Sequence, residues 1–262
     1  MAEQLKFNTQ GSGFPLVFLH GWGLNGAIFS PMVEKLSTHY QVTTIDLPGF
    51  GQNSDVLLDD YSLENITAMV ADCINQPAII IGWSLGGLVA TNIALHHPEK
   101  AHALVSVTSS PYFIEQANWP GIKAELLLAF HQQLSVDAHK TIEGFLKIQA
   151  MGSEHVRNDI KQIKALINAY PEPNTATLDA SLSLLETVDL RAKIQALTLP
   201  VLRMYGRLDS LVPKAMIEQM DKLLPNSDSY TFHRASHAPF ISHSDEFFTV
   251  LTDWITGNIE KN

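Results

Sequence analysis

Three residues of this chain have the types and surroundings needed to cleave an acyl bond together: Ser84, Asp209 and His237. Ser84 stands in Gly82-Trp83-Ser84-Leu85-Gly86-Gly87, directly after the apolar run Pro77-Ala78-Ile79-Ile80-Ile81 and before a second apolar stretch over 88–95. A buried strand that runs through Gly-x-Ser-x-Gly into a helix is a nucleophile elbow, a turn so tight that small residues must flank the serine. The turn lifts the hydroxyl out of the sheet. The helix below aims backbone N–H groups and the positive end of its dipole at the reacting atom. The same pattern also arises as a plain Gly-rich turn, and it is the apolar flanks on both sides that favour the chemical reading.

A serine hydroxyl is a weak nucleophile at neutral pH, so it needs a base, and the base needs an acid to orient it. Asp209 lies in Gly206-Arg207-Leu208-Asp209-Ser210-Leu211-Val212-Pro213, just past an apolar strand pattern over 199–205. His237 lies in Arg234-Ala235-Ser236-His237-Ala238-Pro239-Phe240, past a strand pattern that ends at Phe232. Both loops leave the sheet on the edge that carries the elbow, and Ser, Asp, His is a known chain order for such a triad. Competitors are weaker. Of the 11 histidines, His233 closes a strand and His243 opens the last helix, which suits surface or capping roles. Asp46, in Asp46-Leu47-Pro48-Gly49-Phe50-Gly51, precedes Ser84 and reads as a structural residue of its turn.

Acyl transfer also needs donors for the oxyanion of the tetrahedral intermediate. The expected pair is the N–H of Leu85, next after the serine, and the N–H of Trp22, in the loop His20-Gly21-Trp22-Gly23 after the first apolar strand. The rings of Trp22, Trp83 and Phe145 could wall an apolar channel, although such aromatics more often fill a core. No cluster of His, Cys, Asp and Glu has metal-ligand spacing and no Gly-x-Gly-x-x-Gly follows a strand, so neither metal nor cofactor is expected.

The elements that must position these residues alternate. Strand patterns over 16–20, 42–46, 78–81 and 103–107 are interleaved with helical patterns over 32–36, 63–74 and 85–95. After residue 190 the rhythm resumes, with strands over 199–205 and 228–232 and helices over 214–224 and 245–255. Continuous apolar strands between helices predict an α/β fold with a mostly parallel central sheet and helices on both faces. Between the halves only helical periodicities occur. Breakers at Pro120-Gly121, Gly152-Ser153 and Pro171-Glu172-Pro173 divide that stretch into about four helices. An insertion there covers the carboxyl ends of the strands, where such sheets bind ligands, so it reads as a helical lid. The expected division is core over 1–111, lid over 112–189 and core over 190–262.

At 262 residues, with 45% hydrophobic residues, the chain can bury a full core. A net charge of −10 argues against nucleic acid bound on a broad basic surface. No stretch has the form of a signal peptide or the length of a membrane span, which points to a cytoplasmic protein that does not engage membranes. The single cysteine, Cys73, falls in a helical apolar pattern that suits a small buried side chain, and a monomer is expected. One local feature runs against the overall charge. Between 138 and 164, Lys140, Lys147, Arg157, Lys161 and Lys164 face only Glu143, Glu154 and Asp159, a balance of +2. Their helical spacing lines them on faces that are either simply solvated or a landing site for an acidic partner.

Beyond these motifs, His20-Gly21-Trp22-Gly23-Leu24-Asn25, the Asp46 turn, the Ser84 elbow, Trp119-Pro120-Gly121-Ile122-Lys123 and His237-Ala238-Pro239-Phe240-Ile241-Ser242-His243 form a set. That set resembles the pimeloyl-[acyl-carrier protein] methyl ester esterases of biotin synthesis, within the α/β-hydrolase superfamily, over almost the whole chain. The resemblance implies an α/β-hydrolase fold and hydrolysis of the methyl ester that masks the distal carboxylate of a pimeloyl chain on acyl carrier protein. It implies substrate contacts at Trp22, Leu85 and the lid stretch Phe145, Leu146, Lys147, Ile148 and Gln149, and docking of the acidic carrier on Lys140, Arg157 and Lys161. Gly144 stands where that family can carry a further arginine, so charge is retained with less bidentate geometry. Two other readings are a broad-specificity carboxylesterase or carbon–carbon bond hydrolase, and a hydrolase-like receptor that does not turn over.

Overall fold

The computed structural model describes residues 4–151 and 156–259. Among these residues seven strands form one sheet: β1 (Phe7–Gln10), β2 (Phe14–Leu19), β3 (Tyr40–Ile45), β4 (Ala78–Trp83), β5 (Ala101–Val107), β6 (Val201–Gly206) and β7 (Asp228–Phe232). Their order is β1-β3-β2-β4-β5-β6-β7. β1 runs antiparallel to β3 and every other pairing is parallel. β4, at the centre, is buried along its whole length, which is why it reads as an unbroken apolar run in a sheet covered on both sides. β1 was not expected. Its residues Phe7-Asn8-Thr9-Gln10 are largely exposed on the sheet edge and carry none of the apolar continuity that marks the inner strands.

The helices of the core are α1 (Ser30–Leu36), α2 (Leu63–Asp72) and α3 (Leu85–His96) in the first half. Four more follow β5: α4 (Ala124–Leu134), α5 (Ala138–Ala150), α6 (Val156–Ile167) and α7 (Thr175–Thr187). After β6 come α8 (Ala215–Leu223), the single turn α9 (Pro239–Ser242) and α10 (Ser244–Ile259). α3 packs on β2, β4 and β5 with α2 against it, while α1 packs on β3 and α10. Cys73 caps α2 and is buried, and burial pushes its thiol up to about 11. No helix of the described residues is long and apolar enough to cross a membrane.

The four helices between β5 and β6 have local causes. Asp137 caps α5 by accepting from Lys140 N at 3.0 Å, and Asn174 caps α7 by accepting from Thr177 N at 2.8 Å. The break expected at Gly152-Ser153, with the neighbouring Glu154, lies outside the described residues. The ends of the insertion are tied together where they meet the core. Leu190 N donates to Pro111 O at 2.8 Å, and the Arg191 guanidinium, held by Asp189, lies 4.4 Å from the Tyr112 ring centre and 5.1 Å from that of Trp119.

Candidate active site

Ser84 directly follows β4 and caps α3 with φ 54° and ψ −118°, a conformation that costs a side-chain-bearing residue about 1–3 kcal/mol and survives only where the surroundings enforce it. They do. A Cβ at Gly82 would stand 2.3 Å from Gly86 O, and one at Gly86 would stand 2.3 Å from Leu19 O, so only glycine lets strand, turn and helix close this tightly. Ser84 N donates to Val107 O at 3.0 Å, and Ser84 O accepts from Ser109 Oγ at 2.7 Å. The Ser84 hydroxyl forms no cap with its own helix; Gly87 N donates to Ser84 O at 2.9 Å, while the N–H groups of Leu85 and Gly86 have no hydrogen-bond partner among the described residues.

Asp209 and His237, on two separate loops, meet in the structure. Asp209 Oδ2 accepts from His237 Nδ1 at 2.7 Å, and Oδ1 accepts from the backbone N–H of Leu211 at 2.8 Å and of Val212 at 3.1 Å. The carboxylate is thereby aimed, and it places the imidazole proton on Nδ1. Nε2 is left as the basic atom; it is buried and has no hydrogen-bond partner among the described residues. Gly206 allows the two loops to converge: a Cβ there would lie 1.9 Å from Ser236 O, and Leu208 N donates to Ala235 O at 3.0 Å. A fully buried imidazole with one nitrogen on a carboxylate and the other unpartnered can accept a proton from a hydroxyl and return it.

The main chain of His237 is held from three sides, by groups that the sequence did not single out for this task. Its carbonyl accepts from Trp83 Nε1 at 2.8 Å and from Thr108 Oγ1 at 2.7 Å, and its N–H donates to Gln149 O at 3.1 Å. Thr108 and Ser109 follow β5 on the same edge as the elbow. Their position just past a strand's carboxyl end was the available signal, without a motif to mark it. Asp46 is occupied in its turn, accepting from Gly26 N at 2.5 Å and Gln52 N at 2.8 Å.

The loop with Trp22 lies beside the serine, since a Cβ on Gly21 would be 3.2 Å from Ser84 Cβ. Trp22 joins this loop to the insertion: its Nε1 donates to Leu178 O at 3.0 Å and its ring meets Phe145 edge-on at 4.8 Å. Phe145 in turn packs on Phe130 at 5.3 Å. The stretch 145–149 divides by helical period. Phe145, Leu146 and Gln149 are buried, Ile148 is half-buried, and Lys147 is exposed to solvent. Both amide atoms of Gln149 are buried without a hydrogen-bond partner among the described residues, an arrangement that costs free energy unless a water or ligand group meets them.

The basic residues of the insertion separate in the same way. Lys140 pairs with Asp137 at 3.0 Å, and Lys164 pairs with Glu143, whose carboxyl it holds below the usual range. Arg157 and Lys161, one turn apart on α6, and Lys147 on α5 are exposed.

Sheet, elbow and histidine loop define the class, an alpha/beta hydrolase, and the sequence signature of the alpha/beta hydrolase fold family matches residues 15–244. Curated relatives narrow this further. A pimeloyl-[acyl-carrier protein] methyl ester esterase of Aeromonas hydrophila subsp. hydrophila is 48% identical over 245 residues, covering 94% of this chain and 96% of the relative. One of the same name from Vibrio vulnificus is 46% identical over 247 residues, covering 94% and 96%. The chain belongs to this family of pimeloyl-[acyl-carrier protein] methyl ester esterases. Among solved structures, an esterase of Exiguobacterium antarcticum superposes with a TM-score of 0.88 at 23% identity, covering 96% of this chain and 95% of that one, a likeness of fold alone.

Proposed function

We propose that this protein hydrolyses the methyl ester of a pimeloyl chain carried on acyl carrier protein, with Ser84 as nucleophile, His237 as base and Asp209 as its orienting acid. The observation that carries the reading is the Asp209–His237 hydrogen bond at 2.7 Å, which leaves a buried and unpartnered Nε2 on a histidine whose carbonyl is bonded to the residue preceding Ser84. Ser84 Oγ attacks the ester carbonyl carbon as its proton passes to His237 Nε2. The C–O bond to the methyl group's oxygen then breaks, and that oxygen takes the proton and leaves as methanol. Water attacks the acyl-enzyme by the same route, giving the free carboxylic acid and restoring Ser84. The N–H groups of Trp22 and Leu85 hold the oxyanion in both halves.

On this reading residues 112–189 act as a lid. Ser84 and His237 are buried and the His237 N–H is bonded to Gln149 O of the insertion, which supports a shift of the insertion as the way a substrate tethered to a carrier would reach them. Phe145, Leu146 and the Trp22 ring suit an acyl chain, and the Gln149 amide suits a polar group on it. The exposed cations Arg157 and Lys161, with Lys140 more weakly because Asp137 already engages it, suit docking of an acidic carrier. The protein would act as a cytoplasmic monomer. Turnover of a methyl ester on acyl carrier protein, measured beside the same free ester, tests the proposal. Preference for the carrier-bound ester supports it; equal turnover would leave a general carboxylesterase, and a single acylation without turnover a receptor.

A further inference from the structure

We propose that His20 is a positioning residue for the oxyanion site, setting the plane of the Gly21–Trp22 peptide so that the Trp22 N–H faces the oxygen that becomes negative. The inference rests on the reading of Ser84 as the nucleophile. His20 follows β2 and is fully buried, with its ring edge-on to Phe50 at 5.4 Å. Its Nε2 lies 3.0 Å from the backbone N of Leu47 and its Nδ1 lies 2.9 Å from Gly21 O. A backbone N–H can only donate, so Nε2 must be the acceptor. The single proton of the neutral ring therefore sits on Nδ1 and is donated to the Gly21 carbonyl. Burial keeps the ring neutral, lowering its pKa against the opposing pull of the Asp46 carboxylate.

The consequence follows from peptide geometry. The described residues contain no cis peptide bond, so the Gly21 carbonyl and the Trp22 N–H point to opposite sides of one plane. Fixing the carbonyl toward His20 sends the N–H the other way. Gly21 stands on one side of this peptide and, as a glycine, lets the plane turn about its own ψ with little steric resistance, and Gly23, at φ 76°, adds a second permissive position one residue on. No hydrogen bond engages the Trp22 backbone N–H among the described residues, and Gly21 stands beside Ser84. The donor is thus free and adjacent to the nucleophile, and its direction is set by a histidine whose tautomer is chosen by Leu47.

A brace that merely joined β2 to the Asp46 turn would depend on both ring nitrogens; a positioning residue depends on the proton at Nδ1. His20→Asn keeps a donor close to the Nδ1 position and loses the acceptor, whereas His20→Gln reaches toward Leu47 and loses the Nδ1 donor. With a soluble activated ester, His20→Gln should lower kcat by about 10 to 100-fold with KM within twofold, short of the roughly 10²–10³-fold expected for deleting a whole oxyanion donor. His20→Asn should recover most of that loss. Equal losses in the two variants, or a normal kcat in His20→Gln, would overturn the proposal. A fluorophosphonate probe on the wild-type protein separates the two readings: failure to label Ser84 sinks the nucleophile and His20's role with it, whereas normal labelling with a normal His20→Gln sinks only the latter. Nitrogen NMR of the wild-type histidines needs no variant to fold. It should show His20 as the neutral Nδ1–H tautomer, and an Nε2–H tautomer would overturn the proposal.

Discussion

The hydroxyl of Thr108 donates to the main-chain carbonyl of His237 across 2.7 Å, from a residue held at φ 40°. β5 therefore reaches across the site to hold the histidine loop, and the Trp83 indole meets the same oxygen at 2.8 Å. Thr108→Val keeps the shape and removes the donor. Loss of one buried hydrogen bond amounts to about 0.5–1.5 kcal/mol, so kcat should fall up to about tenfold, and Trp83→Phe should act similarly. Because both serve one oxygen, the double variant should lose more or less than the sum. Strict additivity in a double-mutant cycle would show that the two bonds act independently.

Ser84→Ala and His237→Ala should each cost on the order of 10⁴ to 10⁶ in kcat, and the pair together little more, because nucleophile and base act as one unit. Asp209→Asn leaves the two backbone donors an acceptor but offers an amide to His237 Nδ1, which disfavours the working tautomer. A loss of about 10⁴ with the fold intact is expected. A near-normal rate in that variant would point to another acid.

Arg157 and Lys161 are exposed cations on one face of α6. Changing both to Glu should lower kcat/KM on a carrier-bound ester and leave a small soluble ester nearly unchanged, and the wild-type preference should fade as salt screens charges beyond roughly 8 Å. Equal losses on both substrates would mean that the change damaged the insertion itself.

His139 on α5 lies with Nδ1 2.6 Å from Glu172 Oε1, and Glu172, by hydrogen bond and then by charge, raises its pKa above the ordinary 6.5. A raised folded value means that the tie is at full strength below pH 6.5 and is lost as pH rises through the folded pKa. Amide exchange in the first turn of α5, corrected for its intrinsic pH dependence, should therefore quicken above neutrality. His139→Gln should abolish that change; its persistence would assign the effect to another group.

Gly86→Ala sets a methyl carbon 2.3 Å from Leu19 O, a clash with backbone that no rotamer relieves. Overpacking of this kind costs about 1–3 kcal/mol or more, so Tm should drop by at least roughly 2–6 °C for a chain of this size, with activity lost at the elbow. An unchanged Tm would mean that α3 can slide away from β2.

Much of this was legible because it depends on near neighbours in the chain. The inner strands announce themselves as β-branched runs, the elbow as glycines around a serine, and the four helices of the insertion as 3.6-residue periods between prolines and glycines. β1 escaped because an exposed edge strand has one paired side and no apolar run. Thr108 and Ser109 escaped because their work is done by hydroxyls bonded to main chain that lies far along the sequence or on the neighbouring strand, with no pattern of types to betray it. Within the stretch 145–149 the sequence gives no direct sign of which side chains face inward: a helix turns each residue by about 100°, which leaves Lys147 exposed while Phe145 and Gln149 are buried.

The order of residues alone pointed to the inner strands of the sheet, to the helical insertion, and to Ser84, Asp209, His237 and the Trp22 loop as the candidate site. Those depend on burial periodicity and on turns that only glycine can make. Tertiary structure decided the protonation and direction of each group. The imidazole proton of His237 sits on Nδ1 because Asp209, from a separate loop, is there to accept its hydrogen bond, and that of His20 because Leu47 N–H claims the other nitrogen. Which lysines of the insertion are paired was settled likewise, by Asp137 and Glu143 taking Lys140 and Lys164. A hydrogen atom's position and a charge's availability depend on partners within about 3 Å in space, and distance along the chain does not encode them.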